Sequence, residues 1–329
     1  MSDAIKNFAN QFGYKPTIEN SKNLKKYKKY ILSGMGGSHL SADLARIYDP
    51  SLPLVIRSDY GLPEMLAHEH KDSLFIANSY SGNTEEVIDA LNQALKEKIP
   101  SAVIAVGGKL IAIAQKNNLP YIQIPNTGIQ PRSALGFNLN ALFKIMGRED
   151  ALEDCYKLAK VLKPNTLETK GKLIAQKIKN KIPVIYSSRA NKAIAYNWKI
   201  KLNETGKIPA FYNVLPELNH NEMTGFSAGG GPAFGGDEKI KSLNKLFHFI
   251  ILKDKSDHKK IQKRMDMLAK LYKKRGLKTE MLELAGKNKL EKIFTSLVIA
   301  DWTAVHIAKH YGLESEQVPM VEEFKRLIK

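Results

Sequence analysis

The 329-residue sequence predicts an α/β protein with two similar halves, each a parallel sheet flanked by helices on both faces. Short apolar runs rich in β-branched residues alternate with longer amphipathic runs, which is typical of buried parallel strands joined by helices. With 43% hydrophobic residues, the chain is large enough for more than one core. We expect a first domain at 1–150, a helical linker at 151–180, and a second domain with a C-terminal helix at 181–329.

The first half alternates strands and helices five times. Its predicted strands are 30–34, 54–58, 74–79, 102–107 and 121–125. Its predicted helices are 39–48, 62–70, 84–97, 109–117 and 133–146. The strands are short and apolar along their whole length, so we expect them to be buried on both faces of one sheet.

The second half repeats this scheme. Its predicted strands are 182–188, 208–213, 247–252 and 278–284, and its predicted helices are 190–204, 258–272 and 290–312. A short terminal helix is expected within 318–329, with Pro319 as an early helix position. The segment 225–239 is the loop richest in glycine, and we expect it to be flexible because glycine loses the most entropy on ordering.

Several residues that often mark functional sites are better explained by packing. Trp198 and Trp302 fall within amphipathic helices and are expected in the core. His306 and His310 have the i, i+4 spacing of zinc ligands, but the segment lacks the glutamate of H-E-x-x-H. We therefore interpret them as one face of a packed helix. Cys155, the single cysteine, excludes an intramolecular disulfide and is expected to be a small core residue.

The net charge of +18 raises the question of a nucleic-acid partner. The lysines are scattered along the chain, and the sequence has no zinc-finger spacing and no aromatic RNA-binding motif. We interpret the charge as a solvated surface that attracts anionic substrates in general, and we expect no nucleic-acid partner. The N-terminus lacks a secretory signal and no apolar run is long enough to span a bilayer, so we expect a cytoplasmic protein without a membrane partner.

The stretch NSYSGNTEE (78–86) places Ser79, Ser81 and Thr84 around Gly82, where a predicted strand turns into a predicted helix. The N-terminus of a helix has free N–H groups and a partial positive charge, and anions bind there. Hydroxyl groups add further donors, so the turn predicts a phosphate site. The alternative is that Thr84 simply caps the helix. Capping accounts for one hydroxyl but not for three.

The stretch GMGGSH (34–39) is a second glycine-rich turn between a strand and a helix. It fails the dinucleotide fingerprint, because the third glycine of G-x-G-x-x-G would fall at His39, and it lacks the lysine of a P-loop. We expect Gly37 and Ser38 to let a ligand lie close to the backbone. Both turns follow strand carboxyl ends, where open α/β sheets bind ligands.

GMGGSHLSADL (34–44), NSYSGNTEEVIDAL (78–91) and PRSALG (131–136) resemble the sugar isomerase (SIS) domain. Two such halves, with NETGKIPAF (203–211) and LPELNHNEMTGF (215–226) in the second, resemble the bifunctional phosphoglucose/phosphomannose isomerase family. The resemblance covers most of the chain. It implies an enzyme that interconverts glucose 6-phosphate and fructose 6-phosphate.

The resemblance also implies roles for individual residues. The phosphate would be held by Ser79, Ser81 and Thr84, and the sugar would be contacted by Gly37 and Ser38. The catalytic residues would be Arg132 beside the reacting carbons, Glu204 as the base, and His220 and Lys325 in ring opening. His220 would come from the partner subunit, which implies a homodimer. Val318 stands where members with both activities carry threonine, so the resemblance leaves activity on mannose 6-phosphate open.

Elementary chemistry requires the same residue types. Moving a proton between C2 and C1 of a sugar through an enediolate needs one carboxylate, which takes the proton from one carbon and returns it to the next. A fixed cation such as arginine stabilises the developing negative charge. Ring opening needs a group that protonates near neutral pH, and histidine does so. This route requires no metal and no cofactor.

Other interpretations stay open from the residues alone. Glu204 precedes a glycine at a predicted helix end and is also compatible with a surface glutamate, while His220 is compatible with a loop histidine. Arg132 is compatible with a helix-start arginine and Lys325 with a surface lysine. Another phosphosugar or aminosugar-phosphate enzyme, and a non-catalytic sugar-phosphate sensor, are the alternative functions. A sensor would have no need for Glu204 and His220 together.

Overall fold

A computed structural model describes residues 1–64, 72–227 and 242–328 of the chain. The described residues form an α/β protein with two parallel sheets, which confirms the predicted fold class. The chain divides into two compact units. We call Lys6–Lys163 the N-terminal unit, and Met1–Ile5 with Pro164–Lys329 the C-terminal unit. The predicted linker 151–180 contributes helical residues to each of them.

The N-terminal unit contains a five-stranded sheet in the order β2-β1-β3-β4-β5, with every neighbouring pair parallel. Its strands are β1 (Lys29–Ser33), β2 (Leu54–Arg57), β3 (Ser73–Asn78), β4 (Ser101–Ala105) and β5 (Tyr121–Gln123). The helices, numbered along the chain from α1 (Ser2–Lys6), are α2 (Gly37–Tyr48), α3 (Glu85–Lys96), α4 (Gly108–Lys116), α5 (Leu135–Ile145) and α6 (Glu149–Val161). Short 3-10 turns lie at Phe8–Gly13, Ser21–Asn23 and Pro131–Ser133.

The strands of this unit are apolar along their length because both faces of their sheet are buried. Phe75 on β3 and Val103 on β4 are fully buried against apolar side chains of α3 and α4, such as Leu91 and Leu110. Residues of the opposite parity, such as Ile76, are fully buried too. Since successive side chains of a strand point to opposite faces, both faces of the sheet are covered.

The C-terminal unit contains a four-stranded parallel sheet in the order β7-β6-β8-β9. Its strands are β6 (Ile182–Ser188), β7 (Phe211–Leu215), β8 (Phe247–Lys253) and β9 (Lys278–Glu283). Its helices are α7 (Glu168–Ile178), α8 (Lys192–Glu204), α9 (Glu222–Gly225), α10 (Lys259–Lys274), α11 (Lys289–His310) and α12 (Pro319–Leu327). Short 3-10 turns lie at Pro164–Leu167, Arg189–Asn191 and Glu217–Asn219.

One strand of this unit differs from its prediction. The strand expected at 208–213 is found at Phe211–Leu215. The backbone N–H of Ile208 donates to the carbonyl of Leu202, and the carbonyl of Ile208 accepts from the side chain of Asn203. Ile208 therefore still belongs to the end of α8, and the strand begins only after it.

The core predictions for single residues are confirmed in most cases. Trp198 and Trp302 are buried, and Cys155 is a buried free thiol whose pKa is raised by desolvation to about 12. His306 packs as expected, with Nε2 lying 3.1 Å from Glu168 Oε1. The packing interpretation was wrong for His310, which is exposed beside the ring of Tyr311 at the end of α11.

Two predicted segments fall wholly or partly outside the described residues. The predicted helix 62–70 is described only as far as residue 64, and the glycine-rich loop 225–239 only as far as residue 227. Among the described residues, no helix is both long and apolar enough to cross a membrane.

Candidate active site

The turn after β3 carries the three hydroxyl groups that the sequence singled out, and we call residues 79–84 the hydroxyl turn. Ser79 Oγ lies 2.7 Å from Thr84 Oγ1, and the backbone N–H of Gly82 donates to Ser79 Oγ at 3.1 Å. Ser81 is exposed, and its Oγ accepts from the N–H of Asn83 at 3.2 Å. The structure thus brings Ser79 and Thr84 into contact and leaves Ser81 at the rim of the turn.

Thr84 is the N-cap residue of α3, yet its side chain makes no capping hydrogen bond. Its hydroxyl points instead to Ser79, which is 1% exposed. The simple capping explanation for Thr84 is therefore wrong. Two hydroxyl groups beside the free N–H groups of a helix N-terminus are an arrangement suited to an anion, because the backbone donors and the helix dipole act in the same direction.

The hydroxyl turn is supported by the turn that follows β4. Gly82 has a φ of +72°, and a Cβ added to it would lie 1.8 Å from the carbonyl oxygen of Gly107. Only glycine allows this approach. The N–H of Lys109 donates to Asn83 Oδ1 at 3.0 Å, and the N–H of Leu110 donates to the carbonyl of Gly82 at 3.0 Å. These contacts hold the turn in one conformation.

The glycine-rich turn after β1 lies directly against the Arg132 segment. A Cβ on Gly37 would lie 2.5 Å from Pro131 C and 2.6 Å from Arg132 N. Glycine at this position therefore lets the 3-10 turn Pro131–Ser133 reach the first residue of α2. The Arg132 side chain is buried, being 1% exposed. The N-terminal unit thus holds a buried guanidinium on a turn that contacts the predicted sugar-binding residue Gly37.

Ser38 links two of the turns. Its Oγ accepts from the N–H of Tyr80 at 2.9 Å, and its carbonyl accepts from Asn78 Nδ2 at 2.8 Å. Ser38 is buried. These two hydrogen bonds fix its position relative to the turn after β3. A hydroxyl that accepts one bond retains its own proton as a donor. A contact between Ser38 and a sugar stays a prediction.

Glu204 is the last residue of α8 and is half-buried. Its carbonyl accepts from Lys207 Nζ at 2.6 Å, and the same ammonium group donates to the carbonyl of Gln317. Lys207 therefore joins the end of α8 to the residue that precedes Val318. One turn earlier, the buried pair Lys201–Asp301 at 2.7 Å fixes α8 against α11. The predicted base thus stands at a well-anchored helix end.

His220 and Lys325 are both exposed. His220 follows the 3-10 turn Glu217–Asn219, and its N–H donates to the carbonyl of Glu217 at 2.9 Å. Lys325 lies on α12 and pairs with Glu322 at 2.8 Å across one turn of that helix. The structure places Glu204, His220 and Lys325 on three separate elements of the C-terminal unit, and their catalytic roles stay predictions.

Sequence reasoning missed Glu222, the first residue of α9. Its Oε1 accepts from the hydroxyl of Tyr186 at 2.5 Å, and its Oε2 accepts from Asn213 Nδ2. The stretch LNHNE offered only a weak signal, namely a glutamate two residues after a candidate histidine. Its two partners lie on neighbouring strands and are not adjacent in sequence.

The corresponding edge of the second sheet has different chemistry. β8 is the third strand in the order of its sheet and pairs with β6, just as β3 is the third strand of the first sheet and pairs with β1. The turn after β8 carries Asp254 and Asp257 instead of a hydroxyl pair. Asp257 Oδ1 accepts from Ser188 Oγ at 2.8 Å, and Asp254 pairs with Lys292 at 2.7 Å. Burial raises the pKa of Asp257. The carboxylates of Asp257 and Asp254 already accept from Ser188 and Lys292, so this edge is unsuited to a phosphate.

We looked for a candidate metal site among the residues that the structure describes. In that part of the chain, His, Cys, Asp and Glu side chains form no group of three or more that could hold a metal ion. The groups that the hydroxyl turn presents are hydroxyls and backbone N–H groups. These are ligands for an oxyanion rather than for a cation.

Comparison with known proteins bears on the whole chain. Residues 167–328 match the family described as the bacterial phospho-glucose isomerase C-terminal SIS domain. The chain is 32% identical over 332 residues to the bifunctional phosphoglucose/phosphomannose isomerase of Aquifex aeolicus, covering 99% of this chain and 97% of that one. It is 32% identical over 314 residues to the enzyme of the same name from Caldicellulosiruptor bescii, covering 90% and 88%.

The fold is shared with solved structures at much lower identity. A hypothetical protein from Thermus thermophilus superposes with a TM-score of 0.68 at 15% identity, covering 99% of this chain and 87% of that chain. Identity this low supports the fold alone. The relatives at 32% identity confirm the resemblance that the motifs indicated.

Proposed function

We propose, from the premise that this chain belongs to the bifunctional phosphoglucose/phosphomannose isomerase family, that it interconverts glucose 6-phosphate and fructose 6-phosphate. The observation that carries the proposal is the contact between Ser79 and Thr84 at the N-terminus of α3. Thr84 does not use its hydroxyl to cap α3. The hydroxyl groups of Ser79 and Thr84 face each other beside the free N–H groups of the helix N-terminus. A phosphate would replace their mutual hydrogen bond with a charge-assisted hydrogen bond to each.

The proposed binding step uses the N-terminal unit. Ser79, Ser81 and Thr84 hold the phosphate, and Gly37 and Ser38 contact the sugar. The net charge of +18 attracts an anionic substrate before it is bound. The phosphate of a hexose 6-phosphate is an anion of the kind that the hydroxyl turn is suited to bind.

The proposed chemical step is a proton transfer through an enediolate. Glu204 takes the proton from C2 of the aldose and returns it to C1 of the ketose, so one carboxylate serves both directions. Arg132 stabilises the negative charge that develops on the sugar oxygens, because its guanidinium stays protonated throughout. His220 protonates the ring oxygen during ring opening, and Lys325 assists it. The step as written needs no cofactor.

The relatives' names include phosphomannose isomerase, and we propose mannose 6-phosphate as a second substrate. The residue that bears on this proposal is Val318. Val318 is the N-cap residue of α12 and precedes Pro319. Valine has nearly the shape of threonine but lacks the hydroxyl. Any contact that threonine makes to the mannose epimer is therefore lost, and we expect weaker activity on mannose 6-phosphate than on fructose 6-phosphate.

The finer proposals concern assembly and location. We propose a homodimer in which His220 is contributed to the neighbouring site, as the family resemblance implies. The exposure of His220 supports this proposal, because a histidine that acts on another subunit must be at the surface of its own. We also propose a cytoplasmic location, where phosphorylated hexoses are the available substrates.

The test is conversion of fructose 6-phosphate to glucose 6-phosphate, followed by coupling to a glucose-6-phosphate dehydrogenase. The Glu204→Gln variant is the blank, since an amide cannot accept the proton. We expect turnover by the wild-type enzyme and a loss of at least about 10³-fold in kcat for the variant, the order of a general base's contribution. Normal turnover by Glu204→Gln would remove Glu204 from the base role. Binding of sugar phosphate without turnover would favour a sensor.

A further inference from the structure

The turn that carries His220 is attached to the second sheet on both sides of the histidine. We call residues 217–226 the His220 turn. Leu218 precedes the histidine and is fully buried in the core of the unit. Phe226 follows it and packs edge-on against Phe249, with ring centroids 4.9 Å apart. Between these two apolar contacts, both oxygens of Glu222 bond to the sheet. A longer bond from Arg264 Nη1 to Asn219 Oδ1, at 3.4 Å, joins the turn to α10.

The carboxylate of Glu222 bridges two strands at one level of the sheet. Tyr186 on β6 donates to its Oε1, and Asn213 on β7 donates to its Oε2. Tyr186 and Asn213 are direct register partners in the parallel pair β6–β7. Their side chains therefore leave the sheet side by side on the same face. A group with two acceptor atoms fits this pair of donors, and a carboxylate is such a group.

Both donors are fixed in the donating state. Burial, the neighbouring Tyr272 and the Glu222 carboxylate raise the pKa of Tyr186, so its hydroxyl keeps its proton at neutral pH. Asn213 Oδ1 accepts from the N–H of Val214 at 2.8 Å, which fixes the orientation of the amide and turns its NH₂ toward Glu222. An amide in place of the carboxylate has only one acceptor atom, so the proton of Tyr186 or of the Asn213 amide would lose its acceptor at this site.

We propose that Glu222 is a positioning residue, which holds the His220 turn on the β6–β7 edge and thereby fixes the place of the His220 imidazole. The inference rests on the proposed function for its role in ring opening. Glu222 itself is not expected to transfer a proton, because both of its oxygens are engaged by Tyr186 and Asn213. Only one residue separates it from His220, so a shift of Glu222 is transmitted directly to the imidazole.

The first test is a double-mutant cycle on the isomerisation of fructose 6-phosphate. We expect Glu222→Gln to lower kcat by about 10- to 100-fold, since a misplacement of about 1 Å has an effect of this order. In a His220→Ala background, we expect Glu222→Gln to lower kcat by less than about twofold, because the group it positions is gone. Equal losses in both backgrounds would overturn the proposal.

Two variants control for general destabilisation. Tyr186→Phe removes one of the two hydrogen bonds without changing the shape of the ring, and we expect a smaller loss with the same dependence on His220. Asp266→Asn removes a carboxylate of the same unit whose partner is Lys253, at 2.6 Å, rather than a residue of the His220 turn. We expect Asp266→Asn to leave kcat unchanged. If Asp266→Asn lowered kcat as much as Glu222→Gln, the loss would be a general effect of removing a carboxylate from this unit.

The second test does not depend on activity. In protein labelled with ¹⁵N-histidine, the signal missing from His220→Ala identifies the His220 imidazole among the eight histidines. We expect that signal to shift or broaden in Glu222→Gln and to stay in place in Asp266→Asn. An unmoved His220 signal in Glu222→Gln would overturn the proposal. If the wild-type protein turned over no hexose phosphate, the proposed function would fail, while a shifted signal would still support the positioning of the ring.

Discussion

Position 37, the first residue of α2, requires glycine because a side chain there would collide with the backbone of Pro131 and Arg132. The contact is with backbone atoms on both sides, so neither partner can rotate away as a flexible side chain would. At this scale, the link between sequence and function is steric. A single missing Cβ allows the turn that carries Arg132 to lie against the turn that is proposed to contact the sugar.

We therefore expect Gly37→Ala to lower the free energy of unfolding by about 1–3 kcal/mol, the usual cost of overpacking, and to lower kcat/KM by displacing Arg132. Urea unfolding and steady-state kinetics measure the two effects. The matched control is Gly13→Ala in the same unit, where the nearest atom to an added Cβ is Ala159 Cβ at 3.9 Å. If Gly37→Ala were as stable and as active as Gly13→Ala, the steric account of this turn would be wrong.

At the scale of elements, two topologically similar strands end in chemically different turns. β3 and β8 are each the third strand in the order of their sheet, but β3 is followed by hydroxyl groups and β8 by carboxylates. A phosphate dianion beside Asp254 and Asp257 would meet like charge, which disfavours binding. We therefore expect the second sheet to lack a counterpart of the proposed phosphate site.

This difference predicts one bound sugar phosphate per chain. Calorimetric titration of the Glu204→Gln variant with fructose 6-phosphate measures the ratio without turnover, because the sugar is not consumed. We expect a ratio near one, and we expect the Asp257→Asn variant to give the same ratio as its parent. Two equivalents per chain would mean that the edge of the second sheet also binds phosphate, contrary to its chemistry.

The elements and the binding turn were predictable from sequence to different degrees. Strands such as β3 and β8 are apolar along their length, so burial on both faces left a clear pattern. The strand at Phe211–Leu215 was displaced in the prediction because the hydrogen bonds of Ile208 to the end of α8 are invisible in local composition.

The site residues divide in the same way. Ser79 and Thr84 are five residues apart, and their turn was recognised from its own sequence. Glu222 lies 36 residues from Tyr186 and 9 from Asn213, and it contacts both only because β6 and β7 pair in a particular register. Register is a property of the folded sheet. A contact within one short turn can therefore be anticipated from local sequence, whereas the contacts of Glu222 could not.

At the scale of the whole molecule, fold, family and charge support one function. Two parallel sheets, relatives at 32% identity over most of both chains, and a net charge of +18 are together consistent with an enzyme for phosphorylated hexoses. The central claim is that the hydroxyl turn holds the phosphate while other residues do the chemistry. This claim separates binding from catalysis, so it is tested by measuring both in one experiment.

The most direct measurement is the steady-state kinetics of fructose 6-phosphate isomerisation by the wild-type enzyme and by the Ser79→Ala, Thr84→Ala double variant. These groups are proposed to contact the phosphate equally in substrate and transition state, so their loss is expected to raise KM more than it lowers kcat. We expect KM to rise by about tenfold or more, since hydrogen bonds to a charged group contribute about 1.5–3 kcal/mol each. An unchanged KM in the double variant would remove the hydroxyl turn from the phosphate site and contradict the account.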